Sequence, residues 1–204
     1  MAMKQLICAA GVLIVFGLAV EGRADSSTTA PSAADSLSLK APASQPAFLD
    51  PSRWRFEVLG AGITDLTNRK VEMGGGRIAW DYYTSPDFCL RCELTEYGVS
   101  TSGGNAAATE GSLGFRRHVG KVGDNSLFAD VGFGVFDATR RVPQDGTCFN
   151  LTIHTGIGLE RPLSDKVDLI AGIRYFHLSN ARIDGPSRNP SLNGPEVYIG
   201  LLFN

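Results

Sequence analysis

The chain has 204 residues, a formal net charge of -2 at pH 7, and 43% hydrophobic against 20% charged residues. This balance fits one folded domain with appendages. It excludes both a basic, nucleic-acid-binding surface and a chain too polar to bury a core.

The first element is "MAMKQLICAAGVLIVFGLAVEGRAD". Lys4 precedes an apolar run from Leu6 to Val20, and small residues close the stretch at Gly22 and Ala24. Residues 1–24 therefore read as a secretory signal peptide. The run is short of the roughly 20 apolar residues a spanning helix needs. Cys8 follows a bulky Ile7 and lies too near the start for a lipoprotein signal. Residues 25–47 are Ser, Ala, Thr and Pro with almost no large apolar side chain, so a disordered leader is expected there. The folded domain is placed at 48–204.

No segment beyond residue 50 keeps a helical apolar spacing, whereas alternation with period two is common. Strands are expected at about 54–66, 70–84, 88–101, 107–118, 125–139, 148–161, 167–180 and 195–203. Turn-forming stretches separate most of them, among them Ser85-Pro86-Asp87, Gly103-Gly104-Asn105, Gly123-Asp124 and Pro143-Gln144-Asp145-Gly146. In the sixth, Phe149, Leu151, Ile153, Ile157 and Leu159 share one face, and Asn150, Thr152, His154, Gly156, Gly158 and Glu160 share the other. Either a soluble sandwich or a membrane barrel could hold such strands. Three features favour the barrel. The strands reach the roughly 9–11 residues that cross a bilayer. The polar face is rich in Gly, which suits a narrow interior. The chain ends in "PEVYIGLLFN", where Val197, Ile199, Leu201 and Phe203 alternate up to a terminal aromatic. The expected fold is an all-β, eight-stranded antiparallel up-and-down transmembrane β-barrel in the outer membrane, closed so that no edge meets lipid.

Several residues have expected places in that frame. Trp54, Trp80, Tyr82 and Tyr83 fit interfacial anchors. Cys89 and Cys92 have CxxC spacing in a strand, away from the helix N-terminus a redox pair favours; with Cys148 they read as structural or incidental, with a disulfide open in an exported protein. His118, beside Arg116 and Arg117, reads as part of a solvated or headgroup-facing basic cluster. Arg140-Arg141 can meet outer-leaflet phosphates. His154, Asp130, Glu160, Asp168 and Arg174 have interior parity and read as a paired polar lumen. No metal motif, phosphate loop or DNA-reading helix is visible, and no cofactor is expected.

The last two strands carry the chemistry. In "VDLIAGIRYFHLSNARI", Val167, Leu169, Ala171, Ile173 and Tyr175 share a parity that continues into His177 and Ser179. Asp168 and Arg174 lie on the other parity. If the charges face the lumen, His177 and Ser179 face lipid where the strand leaves the hydrocarbon. Residues two apart on a strand project from one side. A serine hydroxyl becomes a nucleophile only when a neighbouring base takes its proton, and histidine suits that task.

The stretch "RYFHLSNARIDGPSRNPSLNG" resembles the signature of the PagL-type lipid A 3-O-deacylases, an outer-membrane acyl-hydrolase family. The match is close from Tyr175 to the C-terminus, carried by His177-x-Ser179-Asn180-Ala181 and Asn189-Pro190-x-Leu192-Asn193. Upstream it is architectural. The resemblance implies an eight-stranded barrel that hydrolyses the ester holding the 3-position acyl chain of lipid A, with Ser179 as nucleophile and His177 as general base. Asn180 and nearby backbone N–H groups are candidate oxyanion donors. The family's acid is a Glu at the start of the last strand, and the loop alignment puts Asn193 there. Glu196 is close but of opposite parity; the Gly194-Pro195 step could re-aim it through a bulge. Asp184 lies in the loop. Glu196 ranks first, then Asn193, then Asp184. Lipid A or lipopolysaccharide is the implied substrate. The alternative is a non-catalytic barrel serving adhesion, surface stability or lipid binding.

Overall fold

The computed structural model describes residues 53–67 and 70–204. The signal peptide expected at 1–24 and the leader expected at 25–47 lie outside the described residues.

Eight antiparallel strands follow one another around a closed barrel: β1 (Trp54–Thr64), β2 (Glu72–Ser85), β3 (Phe88–Thr101), β4 (Gly104–Val122), β5 (Asn125–Val142), β6 (Thr147–Pro162), β7 (Val167–Ser179) and β8 (Leu192–Phe203). Each pairs with its sequence neighbour, and β1 pairs with β8 from Phe56↔Phe203 to Ile63↔Glu196, which closes the sheet. Both termini of the sheet lie at one end, with the turns at 86–87, 123–124 and 163–166. The other end carries the connections 65–71, 102–103, 143–146 and 180–191. The expected strands are all present. β4 and β5 run further than their apolar residues indicate, because a ladder needs backbone groups rather than apolar side chains.

Alternation decides what each face touches. Val58, Leu94, Leu113, Ile153, Ile157 and Val197 are exposed on the outside, where hydrocarbon rather than water is the solvent for such a band. Trp54, Phe56, Trp80, Tyr82 and Phe203 make an outward aromatic cluster at the end with the termini; Trp54 and Tyr82 rings lie 4.9 Å apart and Phe56 and Trp80 rings 5.4 Å. That is the position of an interfacial girdle. Tyr83 does not join it. It has the opposite parity, is fully buried and packs with Cys89 inside.

The interior is filled. Arg91 meets Glu57 at 2.6 Å, Asp81 at 2.9 Å and Glu93 at 3.0 Å. Arg174 meets Glu93 and Asp130, each at 2.8 Å. Arg55 pairs with Glu160 and Asp168. Burying single charges here would cost several kcal/mol each, so every lumen arginine is matched by carboxylates. Lumen glycines leave the room: a Cβ on Gly156 would strike Arg174, and one on Gly172 would strike Tyr198. At the end bearing 180–191, an apolar cluster including Ile63, Met73, Phe136, Phe176, Leu178 and Leu192 caps this polar layer.

Two further expectations are corrected. Arg116 and His118 are not part of a solvated cluster. They share lumen parity, Arg116 is buried, and His118 bonds Tyr83 Oη at 3.1 Å and Ser126 Oγ at 2.8 Å. Only Arg117 points outward, 3.4 Å from Asp87. Cys89, Cys92 and Cys148 are all free. Cys89 points inward and Cys92 outward, since three residues along a strand reverse the face.

Candidate active site

β7 sets the face. Phe176 and Leu178 are fully buried in the lumen cap, and each such side chain contributes about 1.5–3 kcal/mol toward holding the strand with that side in. His177 and Ser179 must then point out, and both are half-buried on the outer wall. Ile153 and Leu151 of β6 stand directly opposite them. The site therefore opens on the apolar wall, at the end of β7 where the chain leaves the sheet.

β8 brings the third residue. It starts at Leu192, three residues earlier than Gly194 and Pro195 suggest, and its register with β7 runs without a shift from Val167↔Phe203 to Leu178↔Leu192. His177 lies directly across from Asn193, a separation at which side chains interact. Gly194 permits the approach of β1 on the other side: a Cβ there would run into the Thr64 carbonyl oxygen. The Leu66 N–H donates to the Asn193 carbonyl oxygen at 2.8 Å, which holds the start of β8 against β1.

A continuous hydrogen-bond line results. Asn193 Oδ1 lies 2.6 Å from His177 Nδ1, and His177 Nε2 lies 3.1 Å from Ser179 Oγ. An amide oxygen carries no hydrogen, so the Nδ1–H donates to it. The neutral ring is then bare at Nε2 and accepts from the serine hydroxyl. This is the tautomer a general base needs. Tyr175 Oη also donates to Asn193 Oδ1, at 2.7 Å.

Glu196 is not brought to this line. With no bulge at Gly194-Pro195, it keeps lumen parity, is fully buried, and sits 2.6 Å from Arg77 Nη2. Asp184 is exposed in the 180–191 loop, and the His177 ring nitrogens are taken by Asn193 and Ser179. Of the three candidates for the third position, Asn193 alone reaches His177.

Asn180 does a different job from an oxyanion donor. It is buried with lumen parity, its Nδ2 donates to the Arg188 carbonyl at 2.7 Å, and its Oδ1 accepts from the Arg182 N–H at 2.9 Å. Its own N–H donates to Asn189 Oδ1 at 2.9 Å. It thus ties both ends of the loop together one residue beyond Ser179, across Ala181 and Arg182, whose φ angles are 50° and 63°. Losing two buried bonds of this kind loosens a loop by about 1–3 kcal/mol. Asn180→Ala is expected to let trypsin cut after Arg182 or Arg188 about tenfold faster in the micelle-bound barrel. Equal cleavage of the two proteins would contradict this role.

An eight-stranded barrel with an apolar outer wall, a filled charged lumen and an outward Ser–His–Asn line is an outer-membrane protein with a candidate hydrolytic site on its lipid face. The model of the lipid A 3-O-deacylase (PagL) family matches residues 72–201, and the chain belongs to that family. No curated protein sequence matches the chain. Among solved structures, it resembles the Neisserial surface protein A with 13% identity and a TM-score of 0.55, covering 74% of this chain and 94% of that one. It resembles the outer-membrane enzyme PagL with 14% identity and a TM-score of 0.52, covering 72% of this chain and 98% of that one. At these identities the structural likenesses speak for the fold alone.

Proposed function

We propose that this protein is an outer-membrane esterase that removes the 3-O-linked acyl chain of lipid A. The Ser179–His177–Asn193 line on the lipid-facing wall carries the reading, together with membership of the deacylase family. A substrate anchored in the same membrane can slide to Ser179 without leaving it.

In the first half-reaction, Ser179 Oγ attacks the ester carbonyl carbon while its proton passes to His177 Nε2. The tetrahedral adduct collapses, the C–O bond to the sugar breaks, and the sugar oxygen takes that proton from His177. An acyl group is left on Ser179. In the second, a water attacks the acyl-enzyme, gives a proton to His177, and releases the fatty acid as the proton returns to Ser179. Asn193 holds the imidazole in register through both halves. The charge on the adduct needs N–H donors. With Asn180 and the Arg182 N–H committed to the loop, the Ala181 N–H is the backbone donor next in line after Ser179.

Purified protein in micelles with lipid A is expected to release one fatty acid per lipid and leave a product lighter by one acyl chain. A second reading, a lipid-binding barrel without turnover, is favoured by Asn193 standing where the family resemblance puts a Glu. It predicts bound lipid A recovered intact.

A further inference from the structure

Asn193 accepts two hydrogen bonds at a single oxygen, from His177 at 2.6 Å and from Tyr175 at 2.7 Å. An asparagine also has a donor arm. Turned over, the same side chain would offer Nδ2 to the imidazole. That orientation selects the ring with hydrogen on Nε2, which cannot take a proton from Ser179. In a serine triad the wrong tautomer costs about 10⁴-fold in turnover. A carboxylate has two equivalent oxygens and no such failure. A site that uses an amide here needs something to keep its oxygen toward the histidine.

We infer that Tyr175 is that device, a positioning residue whose phenol holds Asn193 with Oδ1 facing His177. The inference rests on the Ser179–His177 reading and adds a residue to it. Tyr175 precedes His177 by two on the same face of β7 and stands opposite Pro195 on β8, so its ring lies alongside Asn193. It is 53% exposed on the outer wall, and Asn193 Oδ1 is the partner its hydroxyl reaches. A phenol donates better than it accepts, because its lone pair is drawn into the ring; it therefore prefers the amide oxygen. The other neighbour, Ser191 Oγ, lies 3.3 Å from Asn193 Nδ2. An aliphatic hydroxyl donates and accepts alike, so it serves either orientation and chooses neither.

The test is Tyr175→Phe, made in the native protein and again with Asn193→Asp. Its readouts are the ¹⁵N shifts of the His177 ring at alkaline pH and the kinetics on lipid A. In the native background, His177 is expected to carry its hydrogen on Nδ1. Tyr175→Phe moves it toward a mixture of tautomers and lowers kcat about tenfold, with KM changed less than about twofold. With Asn193→Asp, the same loss shrinks below about threefold, because no donor arm remains to turn inward. An unchanged tautomer, or an equal loss in both backgrounds, overturns the inference. A tautomer shift in a protein that never cleaves lipid A supports the role of Tyr175 and sinks the esterase reading. Turnover with an unmoved tautomer does the reverse.

Discussion

Ser179→Ala is expected to lower fatty-acid release from lipid A by about 10⁴-fold or more while leaving the barrel intact. The size follows from the single route the geometry offers. Among the described residues, the only hydroxyl within hydrogen-bond distance of His177 Nε2 is that of Ser179, and without it the imidazole has no protein nucleophile there to deprotonate. Ser179 ends β7, and its side chain lies outside the lumen cap, so its loss removes one surface hydroxyl and no packing. Heat-modifiable gel mobility is expected to match the native protein. His177→Gln is expected to show a comparable loss, because residues that act as one unit fail together. Release by Ser179→Ala at the native rate would show that the ester is cleaved elsewhere or by another group.

Asn193→Asp is expected to raise kcat, by about 10²-fold. When Ser179 gives up its proton, His177 becomes an imidazolium. A carboxylate at the Nδ1 side stabilises that cation by charge; an amide offers only the dipole of its oxygen. Replacing the acid of a serine triad by an amide costs about 10⁴-fold, part of it through the wrong tautomer. Here the tautomer is already correct, so the electrostatic share is what the substitution restores. Asp is isosteric with Asn, and the site borders apolar wall rather than deep lumen, so desolvation limits the gain without cancelling it. The measurement is steady-state release of fatty acid by both proteins under one lipid and detergent composition. An unchanged or lower kcat would remove Asn193 from the reaction.

Much of the barrel was legible in the residues. Alternation in β5, β6 and β7 fixes which side chains meet lipid, and the charges at Asp130, Glu160, Asp168 and Arg174 mark the lumen. The same parity places His177 and Ser179 side by side on the outer wall. Two kinds of feature were not legible. From sequence, Glu196 ranks above Asn193 because a carboxylate is the better partner and Gly194-Pro195 resembles a bulge. The ladder instead runs straight through both residues, as the pairing His177↔Asn193 and Arg174↔Glu196 shows. Pro195 lacks a donor, yet it is accommodated opposite Tyr175 without a change of register. The short range of sequence cannot tell a tolerated proline from a bulge. Arg116 and His118 lie inside for a simpler reason. Adjacent basic residues look like one cluster in a sequence, whereas a strand sends neighbours to opposite faces. The loop anchor at Asn180 is visible in the sequence only as an Asn beside a serine; the two partners of its side chain lie at Arg182 and Arg188, and only the folded loop brings them together.

The central claim is that an outward Ser–His pair cleaves one particular ester. Mass spectrometry of lipid A from outer membranes, comparing cells that express the native chain with cells that express Ser179→Ala, tests it most directly. The native chain is expected to yield lipid A lacking one acyl chain, with fragment ions that place the loss at the 3-position, and the variant is expected to yield the full-length lipid. Identical lipid A from both, with both barrels folded in the membrane, would contradict it.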